Sequence, residues 1–498
     1  MYRYSISFLL TFFVITSVSL SQTSPSTGLV RESQDSNFQQ FINRVNAAAS
    51  QDRSAIVDSF MLAVPAFPFI EDPVAHFIYR GNVTSVNVPG DANGWSSSGY
   101  PMTKLSTTDF WYTSQVFESD ARLDYKFILN SSSWILDPRN PHTVSGGFGP
   151  NSELAMPQYV QPWEIQYDST VPHGRIESRT IFSNYRSATY SLNVYLPPDY
   201  RSVGQPYPVV YFQDGSEYIN LGKTKNVIDN LIGYFYIQDI IAVFVTPLNR
   251  NEEYAGSLRD QYMQFFVYEL VPFIDTLYNT NKARHARAVI GDSYGGNISA
   301  LISYNHPGIF GNCGLHSGAF QPNNYEAFNL IVNGVNKKDS IRYFSVWGTY
   351  ENPLTQNMRA FKDSLLKKGY VFGWQERHEG HSWGLWRATT DLILRHFFGY
   401  PSGVSEINNH PVEIKLDQNY PNPFNPSTNF GFRIVDFGFV TLKIFDLLGR
   451  EVATLVNETK QPGEYKVKWN AEGVSSGVYL YRLQVGGFSV TKKLLMVR

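Results

Sequence analysis

The sequence predicts an α/β domain with a mostly parallel sheet, flanked by an N-terminal and a C-terminal β-sandwich. Three patterns in its 498 residues carry that expectation. Over 161–400, strand-like apolar runs alternate with helix-length runs, which calls for a parallel sheet with helices on both faces. Over 63–160, short strand-like runs are separated by Gly, Pro, Asn and Asp turns. Over 401–498 that β patterning returns.

Taken in order, residues 1–21 read as a signal peptide. Arg3 gives a positive start, 6–20 is apolar but for interrupting Ser and Thr, and Ser19 and Ser21 fit the −3 and −1 positions of a cleavage site. That stretch is short for a spanning helix, and no other segment approaches about 18 uninterrupted apolar residues. The mature protein is therefore expected to be exported without a membrane span. Residues 22–62 comprise a leader rich in Ser, Thr and Gln, then helical spacing over 38–62 with Phe41, Val45, Ile56, Val57 and Phe60 facing inward. Strands of the first sandwich are expected at 75–79, 85–88, 111–117 and 123–129.

The α/β segment predicts strands at 191–196, 208–212, 240–245, 286–290, 313–317 and 342–347, with a short one near 370–374. Helices are expected at 226–236, 260–278, 297–305, 355–368 and 388–398. After the Pro- and Asn-rich stretch 419–426, tail strands are expected at 429–434, 439–445, 463–469 and 477–485.

Composition narrows the function. A net charge of −2 leaves no basic surplus for phosphates, which argues against nucleic acid as a partner. Aromatic residues make up 15%, enough to build sheet cores or to offer sugar-stacking platforms. The single cysteine, Cys313, excludes an intramolecular disulfide and is expected to be an inert buried thiol at a strand start.

The chemistry concentrates around Gly291-Asp292-Ser293-Tyr294-Gly295. A G-x-S-x-G between a strand and a helix holds serine in a strained, exposed bend, poised to attack a carbonyl. Such a nucleophile needs a base, an acid that orients the base, and donors for the oxyanion. The acid and base follow in that order here. Glu351 lies in a loop after the strand 342–347, at the carboxyl edge where open α/β sheets assemble their sites. His381, after Gly380, is the expected base, with His378 its competitor. Asp363 falls in an expected helix and Asp391 follows the histidine, so neither fits the order. The spacing His378-Glu379-Gly380-His381 is one residue short of the H-E-x-x-H zinc pattern, and no metal or organic cofactor is expected. Oxyanion donors are expected from the backbone of Tyr294 and from the loop 213–216, where Asp214-Gly215 also reads as an ordinary turn.

These motifs resemble the esterase-D-type α/β-hydrolases, a group that includes carbohydrate esterase family one, the enterochelin esterases and the mycolyltransferases. The run from Val209 to Gly215, the Ser293 elbow, Gly348 with Glu351, and Gly380-His381-Ser382-Trp383 carry the likeness over 161–400. It implies Ser293 as nucleophile, His381 as base and Glu351 as acid, although the family's acid is often Asp. It also implies oxyanion N–H groups from Tyr294 and Ser216. Asp214 and Trp383 are further candidates for contact with the substrate.

Residues 63–160 resemble the early-set, immunoglobulin-like sandwich of glycogen-binding modules, through 77–81, 88–95, Tyr125-Lys126-Phe127 and Trp134 to Pro141. Trp95 and Trp134 read equally as sugar platforms or as packing. Within 401–498, the motif 420–426, the run from Phe445 to Arg450 and Gly477-Val478-Tyr479-Leu480-Tyr481 are similar to the type IX secretion sorting domain, implying that secretion machinery as a partner. The expected activity is a secreted serine esterase acting on feruloyl or acetyl groups of xylan. A siderophore esterase and a non-catalytic glycan-binding surface protein are the alternatives.

Overall fold

A computed structural model describes residues 37–64, 66–147, 149–400, 415–434, 438–460, 463–485 and 488–497. The expected signal peptide, the leader before residue 37 and the linker over 401–414 lie outside these residues.

The helical pattern over 38–62 folds as two helices, Asn37–Ala47 and Arg53–Ala63. The break lets both present apolar faces to the first sandwich, where Phe38, Phe41, Val45 and Val57 pack with Ile78, Leu105 and Phe110. Phe41 and Phe60 stack with ring centroids 4.0 Å apart. The sandwich itself comprises three small sheets of four, three and three strands around Phe77, Trp111, Leu123, Tyr125, Phe127 and Leu154. The strand expected over 123–129 is divided into Arg122–Tyr125 and Phe127–Leu129. At the division the Lys126 N–H leaves the ladder and donates to Pro89 O at 3.0 Å.

The central sheet has eight strands: β1 (Arg175–Ser183), β2 (Ala188–Leu196), β3 (Val209–Phe212), β4 (Ile241–Val245), β5 (Arg287–Asp292), β6 (Asn312–His316), β7 (Arg342–Gly348) and β8 (Phe372–Arg377). Their order is β1-β2-β4-β3-β5-β6-β7-β8. β2 pairs antiparallel with β1 and β4, and all later pairings are parallel. Fully buried β3 and β4 read as continuous apolar runs because helices cover both faces. With a period of two, Val209, Tyr211, Ile241, Val243 and Val289 enter one core, while Val210, Phe212, Ala242, Phe244 and Ile290 enter the other.

β1 was not expected from the sequence. It is an edge strand whose charged Arg175, Glu177 and Arg179 interrupt any apolar run. The helix expected over 260–278 is a composite of Arg259–Gln264, a π-helical turn over Phe265–Leu270 and Val271–Leu277. Pro272, lacking an N–H, lies just past that wider turn. The expected 388–398 helix is preceded by a separate short one, so the chain forms Trp383–Arg387 and Thr390–Phe398. Cys313 is fully buried in β6, and burial pushes its thiol up to about 12, so it is an inert core group.

Asp391 sits in the helix Thr390–Phe398, ion-paired with Arg395 at 3.3 Å. Burial outweighs that arginine and pushes the carboxyl up to about 7. Because its folded value is above the ordinary 3.8, the neutral form is favoured by folding. Its contribution is complete below 3.8 and is lost as pH rises through about 7. Denaturant midpoints should therefore show the wild type losing stability relative to Asp391→Asn as pH rises across that window. A difference that is flat with pH would contradict this.

The C-terminal segment forms two sheets, of three and four strands, enclosing Phe430, Phe432, Leu442, Ile444, Trp469, Tyr481 and Leu483. The strands Glu451–Lys460 and Phe488–Met496 were not expected, since polar residues dilute their alternation. Among the described residues no helix is long and apolar enough to cross a membrane.

Candidate active site

The sheet order reverses between β3 and its neighbours β4 and β5, and the candidate site lies beyond the carboxyl ends of β5, β6, β7 and β8. Ser293 follows β5 directly, with φ +52 and ψ −118, and the helix Tyr294–Asn305 begins at the next residue. This left-handed φ is strained for serine, and the surrounding structure holds it there. A Cβ on Gly291 would lie 2.2 Å from Gly295 O, so the crossing backbone admits only glycine. The Ser293 N–H donates to His316 O at 2.9 Å, and Ser293 O accepts from the Gly296 and Ala319 N–H groups.

His381 Nε2 lies 3.0 Å from Ser293 Oγ. His381 Nδ1 lies 3.6 Å from Glu351 Oε2, longer than a hydrogen bond, and Oε2 has no other hydrogen-bond partner. Glu351 has no exposed side-chain surface. Its Oε1 accepts the Ser317 hydroxyl at 2.7 Å, and Trp386 Nε1 donates to that same Ser317 Oγ at 3.0 Å. The Trp386 ring also stands edge-on to the His381 ring, 5.0 Å away. Ser317, fully buried with φ +49 just beyond β6, is a site residue that sequence reasoning missed. No motif marks it; only the alignment of β6 beside β7 brings it to Glu351.

His378, the competing base, lies off this line and pairs with Asp120 of the first sandwich at 2.6 Å. Asp363 lies within the helix Leu354–Lys367, as expected.

Behind the serine, Asp214 and Asp292 are both buried and share Arg250. Burial first, and each other's charge with it, pushes Asp292 well above the usual carboxylate range; burial also raises Asp214 against the pull of Arg250. Arg250 Nε donates to Asp214 Oδ1 at 2.8 Å, and Nη2 to Asp292 O at 3.2 Å. This cluster anchors the loop after β3 to the start of the serine turn.

A cleft of about 1000 Å³ opens over Ser293 and His381. Asp214, Tyr294, Glu351 and Trp383 line it from the sheet domain, and Trp95 and Trp134 from the sandwich. Trp134 is 46% exposed, whereas Trp383 is a buried wall packed edge-on against Tyr218 and Trp386. Trp95 is fixed by its Nε1 donating to Asp91 Oδ1 at 3.0 Å. Ser216 is not among the lining residues; it sits in the helix Gly215–Asn220 with its hydroxyl donating to Glu217. Among the described residues no cluster of His, Cys, Asp and Glu is arranged to hold a metal ion.

Comparison with known proteins places the chain in a class. Residues 183–397 match the family model described as putative esterase, and residues 418–497 match the secretion system C-terminal sorting domain. The ferric enterobactin esterase of Salmonella typhimurium superposes with a TM-score of 0.58 at 18% identity, covering 68% of this chain and 98% of that one. The likeness shows a shared fold. The chain thus carries an α/β-hydrolase-type esterase domain followed by a type IX secretion sorting domain, and it is an esterase marked for export.

Two relatives give further context. The uncharacterized protein YjcH of Bacillus subtilis strain 168 is 28% identical over 241 residues, which are 45% of this chain and 97% of that protein. The endo-1,4-beta-xylanase/feruloyl esterase of Xylanibacter ruminicola is 28% identical over 271 residues. That match spans 51% of this chain but only 36% of the relative's length.

Proposed function

We propose that the chain is a serine carboxylic-ester hydrolase that removes feruloyl or acetyl groups from xylan or a related polysaccharide. The observation that carries the serine mechanism is the 3.0 Å approach of His381 Nε2 to Ser293 Oγ. Ser293 Oγ attacks the ester carbonyl while His381 takes its proton, and Glu351 orients and stabilises the imidazolium. The Tyr294 N–H holds the oxyanion with a second backbone N–H from the loop 213–216, that of Ser216 by the family likeness although its hydroxyl turns to Glu217, and His381 returns the proton to the leaving alcohol. Water, activated by the same histidine, then releases the acid and frees the serine.

Three things support polysaccharide-linked esters. The chain is exported, one relative is named a xylanase/feruloyl esterase, and the sandwich adds Trp95 and Trp134 to the cleft. In this reading 1–21 is a signal peptide, 22–62 a leader with helices, 63–160 a glycan-facing sandwich, 161–400 the catalytic domain, and 401–498 linker and sorting domain.

A siderophore esterase is the second reading, favoured by the fold shared with enterobactin esterase. A panel of methyl ferulate, acetylated xylooligosaccharide and a catecholate trilactone separates the two. The proposal expects the highest kcat/KM on one of the first two. Preference for the trilactone by tenfold or more would replace it with the siderophore reading.

A further inference from the structure

The loop carrying His381 does not stand on the hydrolase domain alone. Strand Arg122–Tyr125 of the sandwich runs beside it, forming a parallel bridge between Arg122 and Glu379. The Arg122 N–H donates to His378 O at 3.0 Å. The Arg122 side chain, completely buried, continues under the loop, and Nη1 donates to Ser382 Oγ at 3.3 Å. Glu379 Oε2 lies 4.0 Å from that same nitrogen. On the sandwich side the guanidinium is fixed by Asp124 at 2.6 Å and Glu153 at 2.9 Å.

The two domains meet closely at the loop and at the helix that follows it. A Cβ on Gly380 in the loop would lie 2.1 Å from Asp91 Cγ, and one on Gly384 in the helix Trp383–Arg387 would lie 1.8 Å from Arg122 Nη1, both side chains being buried. The acid loop is tied in as well: Tyr350, next to Glu351, donates its hydroxyl to Glu118 of the sandwich at 2.6 Å.

We infer that the sandwich sets the position of the catalytic histidine, with Arg122 as the positioning residue acting through the backbone and side chains of the loop 378–382. This rests on the assignment of His381 as the base. A fully buried guanidinium with buried carboxylates on both sides of a domain boundary is costly unless geometry holds it, so the loop inherits a fixed placement. Catalysis by a serine–histidine pair is sensitive to that placement, since a displacement of about 1 Å can cost on the order of 100-fold in rate.

The test uses the full chain and p-nitrophenyl acetate, a substrate too small to need the sandwich's wall. Arg122→Lys and Arg122→Gln should lower kcat by roughly 10- to 100-fold with KM within about threefold, the lysine recovering part of the loss. Gly380→Ala, which wedges the loop from Asp91 without changing any charge, should give the same split. The ring Cε1–H proton resonance of His381 should shift or broaden in each. Should the Arg122 variants fail to fold, Ser382→Ala removes only the hydroxyl facing the guanidinium and should lower kcat by roughly three- to tenfold.

Folded variants with wild-type kcat and an unmoved resonance would overturn the inference. So would a loss explained entirely by a smaller folded fraction. His381→Ala, run in parallel, separates the two layers. Full activity there removes the base assignment itself, whereas an inactive His381→Ala beside a normal Arg122→Lys removes only the role of the sandwich.

Discussion

Ser293→Ala should reduce kcat on an aryl ester by about 10⁵- to 10⁶-fold, with KM changed little. The reason is geometric. Ser293 Oγ is the hydroxyl within hydrogen-bond reach of His381, and its turn aims it into the cleft. His381→Ala should cost about as much, because the hydroxyl without its base is a weak nucleophile. The double variant should be no worse than either single one, since the two groups act as a unit. Steady-state kinetics on the three proteins checks this. Additive losses would mean that serine and histidine work independently.

Glu351→Gln carries the second large effect, a fall in kcat of about 10³- to 10⁴-fold. The Ser317 hydroxyl donates to Oε1, so a glutamine at this position keeps its carbonyl there and turns its NH₂ toward His381 Nδ1. Nδ1 would then accept a hydrogen bond and Nε2 would carry the proton. That tautomer cannot take the serine's proton. Folding should be barely altered, because the substitution is isosteric and removes a buried charge. A Glu351→Gln protein within tenfold of wild-type kcat would show that the 3.6 Å separation is not closed during turnover.

Much of this site was legible in the sequence, for identifiable reasons. The serine turn announces itself through Gly291, where backbone crosses backbone and only glycine fits. Glu351 and His381 could be found because chain order and strand ends restrict where an acid and a base can meet a serine. Ser317 could not be found that way. Its role depends on β6 lying beside β7, a long-range pairing that leaves no local pattern. Arg122 was equally hidden, since it meets Ser382 across 260 residues of chain. Trp383 was legible as a residue near the site but not as a buried wall. β1 escaped notice because an edge strand with Arg175, Glu177 and Arg179 carries no apolar run.

The shell of side chains that holds Glu351 and His381 in place is thus built from contacts between elements far apart in sequence. Trp386 shows how economical that shell is, since one indole donates to Ser317 and packs on the His381 ring. The sandwich extends it from outside the eight-stranded sheet.

The most direct measurement of the central claim is covalent trapping. The folded chain would be treated with an alkyl fluorophosphonate and the modified peptide mapped by mass spectrometry. One equivalent of label on Ser293, rising in step with the activity lost and absent from the Ser293→Ala protein, is the predicted result. Complete labelling of Ser293 with turnover intact, or complete inactivation with the label on another residue, would contradict it.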